Sequence, residues 1–114
     1  LPNCITPTKT LNEGPDQNDY FYLDQFVLRF ITDVKFSVFS RNGEQLYHYE
    51  GKKTPSGEFF PPVPYANLPE SMNNRLVLWD GRVKGDVRAG NYVYTLWIVS
   101  GGQTYLYKGM LTVM

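Results

Sequence analysis

The chain has 114 residues, with 11 basic and 11 acidic side chains and a formal net charge of zero. Its length suffices for one domain with a hydrophobic core, and the balanced charge excludes a global attraction to nucleic acid or anionic lipid. Tyr, Gly and Pro are frequent (9, 10 and 8 residues), and no stretch shows sustained helical periodicity. This composition predicts an all-β fold.

Three features of the whole chain bear on where the protein works. No apolar segment is long enough to span a bilayer, so direct membrane insertion is not expected. The sequence begins at Leu1 without an initiator Met or a signal peptide, so we interpret it as a fragment or mature piece of a longer protein whose targeting signal is out of view. The single Cys4 excludes an intrachain disulfide, and a buried thiol that packs as a small apolar group is the favoured interpretation.

Residues 1–25 combine an extended edge segment with a polar loop. Pro2 and Pro7 suit an edge, because proline cannot donate into a central ladder. The loop carries five side chains with oxygen ligands: Asn12, Glu13, Asp16, Asn18 and Asp19. They are a candidate calcium site, since calcium takes about six to eight oxygens. Their spacing does not follow the helix–loop–helix calcium pattern, so a solvated turn is the favoured alternative and no other cofactor is expected.

The next part of the chain predicts a strand and then a hairpin. The first strand covers residues 25–31 and ends before a turn at Asp33. Its apolar side chains share one face: Phe26, Leu28 and Phe30. Apolar and polar residues then alternate over residues 34–40, which is typical of a half-buried strand. Asn42-Gly43 favours a tight turn, because both central residues need positive φ, and the return strand covers residues 45–50.

Residues 51–75 interrupt the strand pattern. Five prolines make a central strand unsuitable here and favour an irregular, Pro-rich insertion. Its apolar residues either pack back onto the sandwich, which is the favoured interpretation, or form a partner-binding surface. They are Phe59, Phe60, Val63, Tyr65 and Leu68.

The C-terminal part predicts three strands joined by glycine turns. The strands are expected at residues 76–79, 92–99 and 105–113. The long middle strand is apolar on both faces, so it should be interior to its sheet or sit at an interface. About seven strands with short turns predict an immunoglobulin-like Greek-key β-sandwich, formed as a single domain over residues 1–114.

Several segments, taken in chain order, resemble one family. They are Leu1-Pro2-Asn3 with Thr6-Pro7, Asn18-Asp19 before Phe21, residues 36–44, Leu78-Trp79-Asp80-Gly81, residues 87–94, and Lys108-Gly109 before Leu111-Thr112-Val113. The ordered set resembles the gliding-motility-associated C-terminal domain of Bacteroidetes surface proteins, a type B sorting domain of the type IX secretion system. The chain departs from this family in its first loop, which lacks the usual Asn-Gly-Asp-Gly, and in its longer insertion at 51–75.

The resemblance implies a non-catalytic domain that is exported through the periplasm to the cell surface. Such a domain is recognised by the type IX secretion translocon and stays linked to an SprF/PorP-like outer-membrane protein. Docking would use strand addition or an aromatic patch, with the last strand as the first candidate and the insertion as the second. The predicted contact residues are Tyr105, Tyr107, Leu111, Val113, Phe59, Phe60 and Tyr65. A place in the core is the open alternative for those of the last strand.

Two other functions are carried as alternatives. A carbohydrate-binding or adhesion module would stack sugars on aromatic residues, the candidates being Tyr47, Tyr49, Tyr65 and Trp97. Trp97 itself fits the core better, given its apolar neighbours. An enzyme is the least favoured, because nothing in the spacing brings the only histidine, His48, to Cys4 as a nucleophile–base pair. The sequence also shows no phosphate loop, dinucleotide fingerprint or zinc spacing.

Overall fold

The computed structural model describes residues 4–5, 20–24, 29–65, 68, 70 and 75–114, and of residues 4–5 only the backbone. Within these ranges the chain forms ten β-strands and no α-helix, so the prediction of an all-β fold is confirmed. The strands are β1 (Cys4–Ile5), β2 (Phe21–Leu23), β3 (Ile31–Phe39), β4 (Gln45–Lys53), β5 (Phe59–Phe60), β6 (Leu76–Trp79), β7 (Arg82–Val83), β8 (Asp86–Val87), β9 (Gly90–Ser100) and β10 (Gln103–Val113). The described residues include no helix long and apolar enough to cross a bilayer.

Six strands form one large sheet in the order β1-β10-β9-β3-β4-β5. The short β1 runs parallel to β10, and every other neighbouring pair is antiparallel. Strands β2 and β6 pair separately, and β7 and β8 form a small hairpin. The two longest hairpins, β3–β4 and β9–β10, lie side by side because β3 pairs directly with β9.

The large sheet has one buried face and one open face. Directly opposed residues in antiparallel strands point to the same side of a sheet. The inner face carries Phe36 of β3 opposite Leu96 of β9, both buried, whereas the outer face carries Lys35 opposite Trp97. Alternation of apolar and polar residues along β3 therefore sets which face meets the core.

The β2–β6 pair packs on the inner face and makes a second layer. The Phe21 ring stacks on Phe36 at a centroid distance of 4.9 Å, and Trp79 meets Tyr92 edge-on at 5.7 Å. All four residues of β6 are buried. The result is a two-layered, sandwich-like arrangement with its core between β2–β6 and the inner face. The core residues are Phe21, Leu23, Ile31, Val34, Phe36, Val38, Tyr49, Leu76, Leu78, Trp79, Val83, Tyr92, Leu96, Ile98, Leu111 and Val113.

The segment Trp79-Asp80-Gly81 closes β6 with a hydrogen-bonded turn. Gly81 has a φ of 78°, a left-handed conformation that favours glycine. The Asp80 carboxylate accepts a bond from the backbone N–H of Arg82 at 3.0 Å, and the Trp79 indole N–H donates to the Arg82 carbonyl at 3.1 Å. Each of the three residues of this motif therefore stabilises the turn.

Two predictions about the start of the central hairpin are wrong. Phe30 lies in a turn and is 63% exposed, so it does not share the buried face expected for a strand over 25–31. Residues 25–28 of that predicted strand lie outside the described residues. Asp33 does not mark a turn but lies within β3, opposite Lys52 of β4. The outer face is solvated, so a charged side chain is tolerated inside this strand.

The predicted insertion at 51–75 begins later than expected. Strand β4 continues to Lys53 and pairs with both β3 and β5, so residues 51–53 are regular. Pro55 and Pro61 lie on either side of β5, a strand of only two residues at the edge of the sheet. The hairpin between β3 and β4 is confirmed, but its turn differs from the predicted one. Gly43 has a φ of 89° and its N–H donates to the Ser40 carbonyl, whereas Asn42 does not have a positive φ.

Candidate functional site

The longest exposed edge among the described strands lies on β10. Strand β9 pairs with β10 along its whole length, from Gln103 to Val113. On the opposite side β1 pairs only at Thr112 and Val113. No described strand therefore pairs with the outward side of residues 103–110, a stretch we call the β10 edge. Such an edge offers a row of backbone donors and acceptors to another chain.

Large apolar side chains cover the β10 edge on both faces. Tyr105, Leu106, Tyr107 and Met110 are each between 41% and 61% exposed. Tyr105 and Tyr107 oppose the inner-face residues of β9, whereas Leu106 and Met110 oppose outer-face residues. A strand added alongside would therefore meet apolar groups above and below its own plane.

Very little in the sequence of β10 opposes association. Lys108 is the only charged residue between Gln103 and Val113. Natural edge strands are commonly protected by several charges, by proline, by a bulge or by very short length. β10 has 11 residues and a continuous register with β9. A long, regular and apolar edge is typical of an interaction surface rather than of a protected edge.

The contact residues predicted on the last strand fall into an exposed pair and a buried pair. Tyr105 and Tyr107 are exposed and neighbour each other on one face. Leu111 and Val113 are only 0% and 1% exposed, so they take the core position that the sequence left open as the alternative. They oppose Tyr92 and Gly90 on the inner face, where the second layer covers them. The strand changes from core to surface near Gly109.

The predicted contacts of the insertion lie elsewhere. β5 is four strands away from β10, about 19 Å at ordinary strand spacing. Phe60 is 68% exposed, but Phe59 is half-buried against the core. Tyr65 is also half-buried and stacks on Tyr47 at 6.5 Å. The insertion and the last strand therefore do not form one surface.

Tyrosines that were candidates for a sugar platform are instead part of the inner face. The Tyr65 hydroxyl accepts a bond from the Asp80 N–H at 3.3 Å, and burial raises the pKa of Tyr65 far above its ordinary range. Burial likewise raises the pKa of Tyr47, with the Asp80 carboxylate adding to the shift. Burial is also the main cause that raises the pKa of Tyr49 to about 12, and its hydroxyl donates to the Pro61 carbonyl at 2.8 Å.

The Tyr47 hydroxyl is a buried polar group without a well-formed bond. It has no hydrogen-bond partner of good geometry among the described residues, although the Tyr65 hydroxyl is near enough to influence its pKa. A buried hydroxyl without a well-formed hydrogen bond lowers the stability of the folded state.

Ser37, His48 and Glu50 form a hydrogen-bonded chain on the outer face. The Ser37 Oγ is 2.7 Å from His48 Nδ1, and His48 Nε2 is 3.1 Å from Glu50 Oε1. These residue types occur in acyl-transfer triads. However, β3 is paired on both sides at Ser37, so the neighbouring backbone N–H groups are used within the sheet and no oxyanion hole is formed there. The chain is best explained as a cross-strand polar contact.

The pairing of Cys4 with His48 is not supported by the strand order. Cys4 lies on β1 and His48 on β4, four strands apart and therefore about 19 Å across the sheet. The predicted calcium residues Asn12, Glu13, Asp16, Asn18 and Asp19 lie outside the described residues. Within the described ranges, no group of three or more His, Cys, Asp or Glu could hold a metal ion.

Sequence reasoning missed two residues of the β10 edge. Leu106 and Met110 are as exposed as the predicted tyrosines, but alternation placed them on the other face from Tyr105 and Tyr107. The signal was present, because residues 105–107 are apolar without interruption. An uninterrupted apolar run in a strand has no polar face to turn toward solvent.

Comparisons with family models, with curated proteins and with solved structures found no match to this chain. The interpretation of the site therefore rests on its geometry and on the sequence motifs.

Proposed function

We propose that the chain is a non-catalytic secretion and sorting domain that docks onto its partner through the β10 edge. The observation that carries this proposal is the run of residues 103–110, which no described strand covers and which presents four exposed, large apolar side chains. A docking function requires a surface of this kind and needs no catalytic pocket.

Strand addition is the form of docking that the edge favours. An incoming extended segment would take up the outward N–H and C=O groups of β10 and enlarge the six-stranded sheet. Alternate side chains of the partner would contact Tyr105 and Tyr107 on one face and Leu106 and Met110 on the other. Register and side-chain pockets then give specificity, while the backbone bonds give affinity that depends little on sequence.

The size of the edge indicates reversible docking. Full burial of a large apolar side chain contributes about 1.5–3 kcal/mol, and about half of each of the four side chains is still exposed. Their gross contribution is therefore about 3–6 kcal/mol, which is comparable to the lower range of the cost of association. Stable attachment therefore needs the backbone hydrogen bonds as well, so a change that blocks strand pairing along the β10 edge should strongly weaken binding of the partner.

The fold we propose is the immunoglobulin-like Greek-key sandwich. Two observations support it. The Tyr92 hydroxyl donates to the Arg88 carbonyl four residues upstream, which is the hydrogen bond of the tyrosine corner in such sandwiches. Trp79 is fully buried between the layers, as the core Trp of these domains is. The two short pairs β2–β6 and β7–β8 would then complete the second sheet.

The sorting role is supported by the ordered motifs. Trp79-Asp80-Gly81 and Gly90-Asn91-Tyr92-Val93-Tyr94 resemble the corresponding parts of the gliding-motility-associated C-terminal domain. The partners we propose are the type IX secretion translocon and an SprF/PorP-like outer-membrane protein. The domain would then pass through the periplasm and remain at the cell surface.

An export assay tests this function. Residues 1–114 are fused behind a secreted reporter in a host with the type IX system, and surface and periplasmic fractions are measured. We expect surface reporter for the unchanged chain and retention in the periplasm for the double variant Leu106→Lys/Tyr107→Lys. Phe30→Lys is the matched control, because Phe30 is equally exposed but lies in a turn.

The two parts of the proposal fail in different ways. Periplasmic retention of the unchanged fusion, with the translocon present, would refute the sorting role. Normal export of the double Lys variant would leave sorting intact and refute the β10 edge as the docking surface.

A further inference from the structure

A groove on the outer face extends from β9, the strand next to the β10 edge, across to β5. It has a volume of about 210 Å³, and its lining includes Trp97 of β9 and the exposed Phe60 and Pro61 at the end of β5. Its floor is formed by β3 and β4, which lie between these strands in the sheet. The groove therefore has an aromatic residue on each side of a two-stranded floor.

The floor carries four charges in an alternating pattern. Asp33 lies opposite Lys52, and Lys35 lies opposite Glu50, so each acid has a base as its cross-strand neighbour. The Asp33 carboxylate and the Lys52 ammonium are 3.9 Å apart. The net charge of the floor is zero, yet it offers both strong acceptors and strong donors within one small area.

The Lys35 ammonium also lies over the Trp97 ring, in a cation–π contact. Its Nζ is 4.6 Å from the centroid of the Trp97 ring. The ring is only partly exposed, whereas the Lys35 side chain is exposed and can move without disturbing the core. A ligand that packs on this side of the ring therefore displaces the Lys35 ammonium to the ring edge, where the ammonium can donate to a hydroxyl of the same ligand.

From these features we propose that the groove binds a neutral oligosaccharide. Sugar rings present C–H faces that pack on aromatic side chains such as Trp97 and Phe60. Their hydroxyls both donate to carboxylates and accept from ammonium groups, which matches Asp33, Glu50 and Lys35. A floor with no net charge gives no electrostatic advantage to an anionic or a cationic ligand. The charge pattern therefore selects an uncharged polyhydroxylated ligand.

This site differs from the aromatic platform that the sequence offered as an alternative function. Of the four aromatic candidates, only Trp97 lines the groove, because Tyr47 and Tyr49 belong to the inner face and Tyr65 packs on Tyr47. The groove adjoins the β10 edge at Trp97, whose cross-strand neighbour is Leu106, but neither Leu106 nor Tyr107 lines it. The inference does not depend on the sorting role.

An NMR titration of the 114-residue chain tests the groove. The probes are maltohexaose, cellohexaose and chitohexaose, with a heparin hexasaccharide as the anionic comparison. We expect at least one neutral probe to shift the Trp97 indole N–H and the amides of Lys35 and Glu50. The Trp79 indole is an internal control, because Trp79 is 0% exposed in the core.

Matched variants make the test specific. Trp97→Ala and Phe60→Ala should each weaken binding at least about tenfold, while Met110→Lys on the β10 edge, opposite Val93 rather than Trp97, should leave it unchanged. Phe60 is 68% exposed, so its removal probes binding even if Trp97→Ala unfolds the chain. The proposal is overturned if no neutral probe binds at millimolar concentration, if the heparin probe binds more tightly than every neutral one, or if Phe60→Ala binds as the unchanged chain does.

Discussion

Gly109 lacks a side chain because the ring of Tyr94 occupies the space that a Cβ would need. The two residues are direct cross-strand neighbours in the β9–β10 hairpin. A Cβ at position 109 would lie 2.8 Å from both Cε1 and Oη of Tyr94, and 2.9 Å from its Cζ. These distances are shorter than real Cβ contacts allow, so Gly109→Ala must displace the ring or the strand.

The Tyr94 ring has little freedom to move away. It contacts Phe21 at 5.1 Å and Phe36 at 6.1 Å between ring centroids, and both of these residues are fully buried. Overpacking of a well-filled core typically costs about 1–3 kcal/mol. We therefore expect Gly109→Ala to lower the free energy of unfolding by that amount, out of the roughly 5–15 kcal/mol usual for a domain.

Urea unfolding of four chains checks this reasoning: the unchanged chain, Gly109→Ala, Tyr94→Leu and the double variant. Leu is smaller than the tyrosine ring and leaves room for the new methyl group. In the Tyr94→Leu background, Gly109→Ala should be neutral or stabilising by up to about 1 kcal/mol, because glycine weakens a strand interior. An equal loss of stability in both backgrounds would refute the steric explanation.

Two further predictions concern the buried tyrosines. Tyr47→Phe should leave the free energy of unfolding unchanged or raise it by up to ~1 kcal/mol, because it removes a buried hydroxyl without a well-formed bond. Tyr49→Phe should lower the free energy of unfolding by ~1 kcal/mol, because it leaves the Pro61 carbonyl without its donor. Denaturant unfolding of both variants checks this, and the reverse order would contradict it. Because burial raises the folded-state pKa of Tyr49 to about 12 and that of Tyr65 as well, their contribution to stability is complete below pH 10. It should be lost as the pH rises above 10, by up to ~1.4 kcal/mol per pH unit for each tyrosine, and a flat unfolding free energy between pH 10 and 12 would contradict this.

The sequence predicted the fold best where a local rule and the tertiary environment agree. The β3–β4 hairpin is an example, because Gly43 provides the left-handed position that its turn needs. The last hairpin is another, since Gly101 and Gly102 both have positive φ between two long strands. Such features need no knowledge of the rest of the chain.

Prediction failed where distant strands decide the outcome. Asp33 is a residue type typical of turns. In the structure it lies opposite Lys52 on the solvated outer face, so it is part of strand β3. Leu111 and Tyr107 are both apolar residues of β10, yet only Leu111 lies under the second layer. The position of β2 and β6 above the sheet depends on contacts far apart in sequence, and so does the boundary along β10 between buried and exposed residues.

The candidate groove shows the same limit. Trp97 was expected in the core because its neighbours along the strand are apolar. Its surroundings instead include Lys35, Glu50 and Phe60, which three other strands contribute. Only the strand order brings these residues together, and no spacing within the sequence indicates that order.

The most direct test of the docking proposal is amide hydrogen exchange on the chain, alone and with a purified SprF/PorP-like outer-membrane protein. Strand addition predicts that the partner protects alternate amides within residues 103–110, those that point away from β9, while exchange at Phe60 and the other edge stays unchanged. Protection at β5 alone, or no protection along residues 103–110 when the two proteins are bound, would contradict the proposed role of the β10 edge.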